Sequence, residues 1–223
     1  METYTITTVD DPDSPYYTEL EDLIREFALN VFVFQNFNLS KEERYRYIKD
    51  YTRLLSVDDL IHLEKDIEGR LTALRESLTI KNPFNETRYY ILLKDDEVIG
   101  FQTAQVKTYT DHIEGWRNFA YMKRNHMGRT GTVKSTYDDL TSGFLSEQLY
   151  KNISKWFLES GVTVEKTATG TNMMQNIFAY IVYKGFIPEK MDKQRVYLKK
   201  EYACIHSRVE LLDEFEKYVR TKK

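Results

Sequence analysis

The chain has a single cysteine, Cys204, so no internal disulfide can form and no zinc site can be built from thiolates alone. No apolar run approaches the roughly 20 residues that a bilayer-crossing helix needs, and the amino terminus lacks a charged-then-apolar leader pattern. Basic charge is not in excess either. A net charge of −3 and a pI near 5.9 exclude a general electrostatic field for nucleic acid. Internal repeats and low-complexity linkers are absent, and His62, His112 and His206 lack metal-ligand spacing, so no metal is expected. These absences predict a soluble, cytoplasmic globular protein with neither nucleic acid nor membrane as partner.

What is there is enough for a core. With 223 residues, 41% hydrophobic and 14% aromatic, the chain can build one large domain or two small ones. The most readable stretch runs from Gly131 to Phe186 as strand, loop, helix, strand, helix. Thr132 to Tyr137 is β-branched and aromatic, as strands are. Leu140, Phe144, Leu145, Leu149, Ile153, Trp156 and Phe157 then share one stripe at the 3.6-residue period. This predicts a helix over 141–160, stopped by Gly161. Val162 to Ala168 reads as a second strand, Gly170-Thr171-Asn172 as a turn, and Met173 to Lys184 as a shorter helix closed by Gly185-Phe186. A strand, a crossover helix and a further strand imply a sheet with a helix across one face.

Upstream, Tyr4 to Thr8 alternates as a strand, and Asp11-Pro12-Asp13-Ser14-Pro15 breaks it and can cap a following helix. Leu20, Leu23, Ile24, Phe27 and Val31 carry that helix to about residue 32. Residues 40–80 stay helical and heavily charged. Ser40-Lys41-Glu42-Glu43 is a capping box, Ser56-Val57-Asp58-Asp59 starts a second helix, and Leu60, Leu63, Ile67, Leu71 and Leu74 give it an apolar face. Two readings of this pair stand: a lid or wall for an acceptor, or helical packing on the core. After Pro83, Arg88 to Leu93 and Val98 to Val106 flank the acidic turn Lys94-Asp95-Asp96-Glu97 as an antiparallel hairpin. His112 to Gly131 obeys no clear period, with Trp116, Phe119 and Tyr121 set among Arg117, Lys123, Arg124 and Arg129. The chain closes with a second hairpin, 186–190 and 195–199, and an amphipathic helix carrying Val209, Leu212, Phe215 and Val219.

This order of elements resembles the GNAT acyltransferase superfamily over residues 1 to about 200. The most characteristic parts are the hairpin Lys94-Asp95-Asp96-Glu97-Val98-Ile99-Gly100-Phe101 and the ending that runs from Asn172 through an aromatic helix to Gly185-Phe186. Residues 40–80 would be a helical insertion and 201–223 a helical tail on a single domain. The resemblance implies an α/β (α+β) fold whose mixed, mostly antiparallel sheet splays open. It also implies acetyl-coenzyme A (acetyl-CoA) as co-substrate in the gap and direct acetyl transfer to a small-molecule primary amine. Thr169-Gly170-Thr171-Asn172 resembles the branch acting on nucleotide-linked amino sugars, while the aromatic stretch 112–121 suits a peptide amine or an antibiotic equally. A second copy of the chain, as a homodimer, is a further partner to consider. The competing class is a non-catalytic GNAT-shaped module that binds a partner through residues 40–80 and has lost its glycine loop.

Members of this family hold the coenzyme's pyrophosphate with Gln/Arg-x-x-Gly-x-Gly/Ala between the central strand and the long helix. There, backbone N–H groups and the helix N-terminus face the anion. In that place this chain has Thr141, Ser142, Gly143, Phe144, Leu145 and Ser146, with Gly143 as the matching glycine. Gly128-Arg129-Thr130-Gly131-Thr132 is closer in composition, but the intervening strand predicts that its amides lie away from the helix N-terminus. Gly143 can also be read as a glycine inside a longer helix beginning at Ser135. By resemblance, the backbone at Thr136 and Tyr137 would hold the thioester carbonyl, and Asn172 and Asn176 would line the coenzyme. A tyrosine shortly before Gly-Phe would protonate the departing thiolate. Tyr180 and Tyr183 flank that position, which Ile181 occupies; Tyr180 fits if one extra residue is accommodated before Gly185. With 17 tyrosines in the chain, core packing is an alternative for either. Glu165, Asp138 and His126 are candidates for the general base, each also readable as a solvated side chain.

Overall fold

A computed structural model describes residues 2–36, 55–135, 137, 141–170 and 174–202. Strand β1 (Thr3–Val9) leads into helix α1 (Tyr17–Asn36), and α2 (Val57–Thr79) precedes the long strands β2 (Asn85–Lys94), β3 (Glu97–Thr108) and β4 (Ile113–Met122). A hairpin of β5 (Thr130–Ser135) and β6 (Thr141–Phe144) comes before α3 (Leu145–Glu159) and β7 (Val164–Gly170). Then come α4 (Met174–Phe178), a π-helical turn (Ala179–Tyr183), and the hairpin β8 (Ile187–Met191) and β9 (Arg195–Glu201). The expected helix at 40–54 and the tail at 203–223 lie outside the described residues.

Local chemistry explains several of these boundaries. Ser56 caps α2 by accepting the Asp59 N–H at 3.1 Å, while the Asp59 carboxylate accepts the Ser56 N–H at 3.0 Å, so two orphan donors are satisfied at once. Between β2 and β3, Asp95 and Asp96 take positive φ values of 49° and 66°. That is the two-residue turn whose twist matches the flanking strands.

The strands form one sheet in the order β6-β5-β1-β2-β3-β4-β7-β9-β8, antiparallel except at β1/β5 and β4/β7. Both faces of its centre are covered, which is why Arg88 to Leu93 reads as a run and not an alternation. Tyr89, Ile91 and Leu93 point to the face where α1 and α2 bring Leu20, Leu23, Ile24, Leu71, Leu74 and Leu78. Tyr90 and Leu92 point to the other, where α3 brings Leu149, Ile153, Trp156 and Phe157. No helix among the described residues is long and apolar enough to cross a membrane.

Three expectations need correction. The helix expected from 141 begins at Leu145, because Thr141–Phe144 pair with Val133–Thr130 and satisfy their backbone groups in a ladder. The helix expected over 173–184 gives way after Phe178 to a π-helical turn. The aperiodic stretch after His112 supplies β4, a strand near the middle of the sheet.

Leu71 and Leu74 are fully buried while Leu60 is 42% exposed, so α2 is packed on the core by its second half. Leu74→Ala is expected to cost about 2–5 kcal/mol in urea unfolding, and Leu60→Ala less than about 0.5 kcal/mol. Equal effects would mean that α2 is not docked by this face.

Candidate active site

β4 and β7 are neighbours for only part of their length. Glu114–Arg117 pair in parallel with Val164–Thr167, and beyond that point β7 runs on to Gly170 paired with β9 alone. On its other side β4 bulges here, with Asn118 and Phe119 set against Thr103, and the Phe119 N–H donates to Thr103 Oγ1 at 3.0 Å. A bulge bends a strand and re-aims its side chains. The sheet therefore forks after Arg117 and Thr167.

Charge holds the base of this fork. Arg117 of β4 and Glu165 of β7 form an ion pair with no side-chain exposure on either partner. Arg117 Nη2 donates to Ser154 Oγ of α3 at 2.5 Å, and its guanidinium lies 3.7 Å from the Tyr150 ring centre. The Tyr202 hydroxyl donates to the second Glu165 oxygen at 2.5 Å. Burial by itself would raise the Glu165 carboxyl, but the charges of Arg117 and Lys200 and the bonds from Tyr202 and Arg117 outweigh it and hold it below the usual carboxylate range. Glu165, a candidate base on sequence, is thus placed as the counter-ion of Arg117, with both oxygens engaged and no exposure to an incoming amine.

The two candidate tyrosines part company here. Tyr180 is part-buried, edge-on to Phe186 at 5.2 Å between ring centres, in a cluster with Tyr150, Ile177, Val196 and Leu198. Its hydroxyl bonds to the Thr167 side chain at the fork. Burial pushes the phenol above 10, and the Arg117 charge and the Thr167 bond offset only part of that. Tyr183 is 57% exposed and stacks edge-on to Phe178. The π-helical turn over Ala179–Tyr183 takes up one residue more than an α-turn would, which accommodates the longer spacing from Tyr180 to Gly185. Lys184 lies beside them, its Nζ 3.5 Å from the Tyr150 ring centre and 5.4 Å from that of Tyr180. Burial, then the charge of Arg117, push it down to about 7. Asn176 is exposed, and Asn172 lies outside the described residues.

The two glycine-bearing segments meet, against expectation. β5 leaves the end of the sheet where β4 stops, and β6 returns to it, setting Thr130 against Phe144 and Gly131 against Gly143. The Leu145 N–H donates to Arg129 O at 3.1 Å, so Gly128 to Gly131 lie at the first turn of α3 and not away from it. A β-carbon on Gly131 would fall 2.3 Å from the Tyr4 ring, a close approach that only glycine permits. Residues 141–146 are correspondingly a strand and the start of a helix. Phe144, at the N-cap, supplies no side-chain acceptor to α3, and Ser146 of the first turn is exposed. An uncapped helix N-terminus of this kind suits an anion.

Tyr137 is elsewhere. It packs on the core near the other end of α3, bonded to Glu159, and burial pushes its hydroxyl up to about 12. Between β5 and β7 stand β1, β2, β3 and β4, a span of about 24 Å at normal strand spacing. The strand beside the fork is β4, so the structure places Tyr137 away from the fork; Thr136 lies outside the described residues. No spacing announces β4, because Glu114 and Arg117 are three positions apart, fall on opposite faces of the strand and are both buried. Glu114 is satisfied by Trp116 Nε1 at 2.8 Å and Lys166 at 2.7 Å, and Arg117 by Glu165, so inward-facing charges broke an otherwise strand-like pattern. Of the remaining base candidates, His126 sits edge-on to Tyr4, lowered by burial first and by Lys94 and Arg129, and Asp138 lies outside the described residues.

No protein-family model and no curated protein matches the sequence. Solved structures do match the fold. A probable acetyltransferase from Staphylococcus epidermidis superimposes with a TM-score of 0.53 at 12% identity, over 90% of this chain and 99% of that one. The NatC complex bound to Gag peptide and CoA gives 0.51 at 12% identity, over 91% and 100%. A Pyrococcus horikoshii protein gives 0.50 at 11% identity, over 89% and 98%. At such identities the likeness speaks to architecture alone, and it agrees with the forked mixed sheet and the helix that crosses it. The chain has the GNAT acyl-CoA N-acyltransferase fold.

Proposed function

We propose that the protein is an acetyl-CoA-dependent N-acetyltransferase that passes an acetyl group directly to a primary amine. The observation that carries this reading is the fork between β4 and β7, with Tyr180 turned to its base and the uncapped N-terminus of α3 at the same end of the sheet as its mouth. α3 begins beside Arg129, just past the end of β4, and the segment after it returns to the start of β4 through the Thr163 N–H to Ile113 O bond at 2.9 Å. The helix therefore runs antiparallel to β4, from the β5–β6 side of the sheet, and turns its positive end to the same end of the sheet at which β4 and β7 have parted. The first turn of α3, with Ser146 and the glycines at 128, 131 and 143, takes the pyrophosphate of acetyl-CoA. Its thioester enters the gap along β4.

The chemistry needs little more. The amine attacks the thioester carbonyl, the C–N bond forms, and the C–S bond breaks as the tetrahedral adduct collapses. Tyr180 gives its proton to the departing thiolate. A phenol held above 10 is fully protonated at neutral pH, so the acid is always loaded. The amine's own proton leaves to water, which fits a site where Glu165 is already paired. The acceptor is a small primary amine. The nucleotide-linked amino sugar suggested by Thr169-Gly170 is one candidate, the rest of that motif lying outside the described residues. The other reading, a GNAT-shaped module without activity, separates from this one by titration with acetyl-CoA alone: the enzyme binds it and the module does not.

Ser146→Asp tests the coenzyme site. A carboxylate in the first turn favours the helix but repels a diphosphate, so acetyl-CoA affinity should fall tenfold or more by calorimetry, on the order of 1.4 kcal/mol, while Tm is kept or raised. Unchanged affinity would move the diphosphate away from α3. For the acid, Tyr180→Phe should lower kcat by about 10²–10⁴-fold with little change in acetyl-CoA affinity, whereas Tyr183→Phe should turn over normally. The reverse pattern would assign the proton to Tyr183, and two active variants would assign it to water.

A further inference from the structure

The sheet face opposite α3 holds a cavity of about 430 Å³ that the chemistry above does not use. It spans the fork. Phe119 stands on β4 just past the last β4–β7 pair, and Arg195 begins β9 opposite Gly170, the last residue of β7. The floor is aromatic: Phe27 packs against Phe101 and Phe119 with ring centres 6.0 and 5.5 Å apart. The Arg70 guanidinium covers it, 4.5 Å from the Phe119 ring centre and 5.1 Å from that of Phe27. The charge is one-sided. Asp66 is already neutralised by Arg70 at 2.8 Å, whereas Lys65 makes no ion pair with any described residue and Arg195 has as its acidic neighbour Asp192, which accepts its backbone N–H at 2.7 Å without a side-chain ion pair.

Helix α2 gives up a side chain at this place. Gly69 sits inside a 23-residue helix, where glycine is weaker than alanine, and a β-carbon built on it would meet no atom within 4 Å. Packing does not require a glycine there; the space in front of it is the cavity. Residues of the insertion are therefore both core packing, through Leu71 and Leu74, and the wall of this space, through Lys65, Gly69 and Arg70.

Building on the acetyltransferase reading, we infer that this cavity is the acceptor subsite, and that it takes a primary amine joined to an apolar or aromatic body with an anionic group, and rejects polyamines. The body lies on Phe27, Phe101 and Phe119, the anion meets Lys65 and Arg195, and the amine passes Phe119 into the fork to reach the thioester from the opposite face. A polyamine would set its charges against three cations and one carboxylate that is already paired. The anion could be the carboxylate of an amino acid or the diphosphate of a nucleotide-linked amino sugar, and both chemistries suit this lining.

The test uses the full chain, acetyl-CoA and two matched pairs of probes, with thiol release as the readout: phenylalanine against phenylalaninamide, and UDP-glucosamine against glucosamine, with spermidine as the polycation. The anionic member of one pair should be used roughly tenfold or more better in kcat/KM than its partner, and the advantage should shrink as salt is added. The pair that responds identifies the anion. Gly69→Leu should raise KM for the accepted probe while acetyl-CoA affinity and Tm are kept, since leucine suits a helix. Arg195→Gln should erase the preference within the pair. The inference is overturned if spermidine or an uncharged partner is preferred, if no anionic probe is acetylated, or if Gly69→Leu leaves KM unchanged. Titration of the wild-type chain with acetyl-CoA alone separates these failures from failure of the acetyltransferase reading, which would show as no coenzyme binding.

Discussion

The buried pair of Arg117 and Glu165 is the constraint on which the site depends. Taking two charges out of water costs several kcal/mol per ion, and attraction recovers it only when the remaining donors and acceptors are also served. Here Glu165 accepts from Arg117 and Tyr202 with both oxygens, and Arg117 donates to Ser154 and lies over Tyr150, leaving Nη1 as the one buried donor of the pair with no hydrogen-bond partner among the described residues. One interaction thereby ties β4, β7, α3 and the residue after β9 at a single point. It fixes where β4 and β7 stop being neighbours, because the last paired residues are Arg117 itself and Thr167. Loss of one partner would strand a charge in the core, at a cost of about 3–5 kcal/mol, so the fork is anchored far more firmly than a surface ion pair could anchor it.

The β5–β6 hairpin explains why the glycines look scattered. A direct connection from β4 to α3 would carry its glycines in one short motif. Here the chain makes a detour along the edge of the sheet, pairing β5 with β1, and comes back beside the place it left. Gly131 and Gly143 are twelve positions apart in sequence yet directly opposed in the ladder. The backbone around the first turn of α3 is thus supplied by two segments in place of one loop.

How much of this was legible follows from the physics of each segment. The β2–β3 hairpin, the cap at Ser56 and the amphipathic stripe of α3 are local signals, and local signals survive in a sequence. The fold class could be read because their order is distinctive. The start of α3 was misplaced because Leu140 and Phe144 continue the apolar stripe, while the pairing that makes 141–144 a strand is with residues ten or so positions earlier. β4 was missed because its inward-facing Glu114 and Arg117 are neutralised by Lys166 and Glu165 on another strand, partners that periodicity cannot see. With β4 unread, the candidate thioester contact was set at Tyr137, which the structure places past the end of β5 and away from the fork. Between Tyr180 and Tyr183 the distinction rests on a π-helical turn, and no residue pattern announces one.

Charge at the fork runs against the charge of the chain as a whole. The protein carries a net −3, and Arg117 and Arg70 are neutralised by Glu165 and Asp66, yet Lys184 stands on the α3 face of the gap and Lys65 and Arg195 on the other with no ion pair among the described residues. Lys184 is the telling member. It is half-buried over Tyr150 and has no ion pair among the described residues, so its ammonium is costly and it is pushed down to about 7. A cation held at such a cost beside Tyr180 is tolerable where an anion arrives, and on the proposed reading the departing thiolate would be one. On the reading proposed above, the sheet would keep the two ligands on opposite faces and let them meet only where β4 and β7 have parted. A donor and an acceptor that are both anionic could share one active site on those terms, since each would face its own cations and the backbone between them would limit their mutual repulsion.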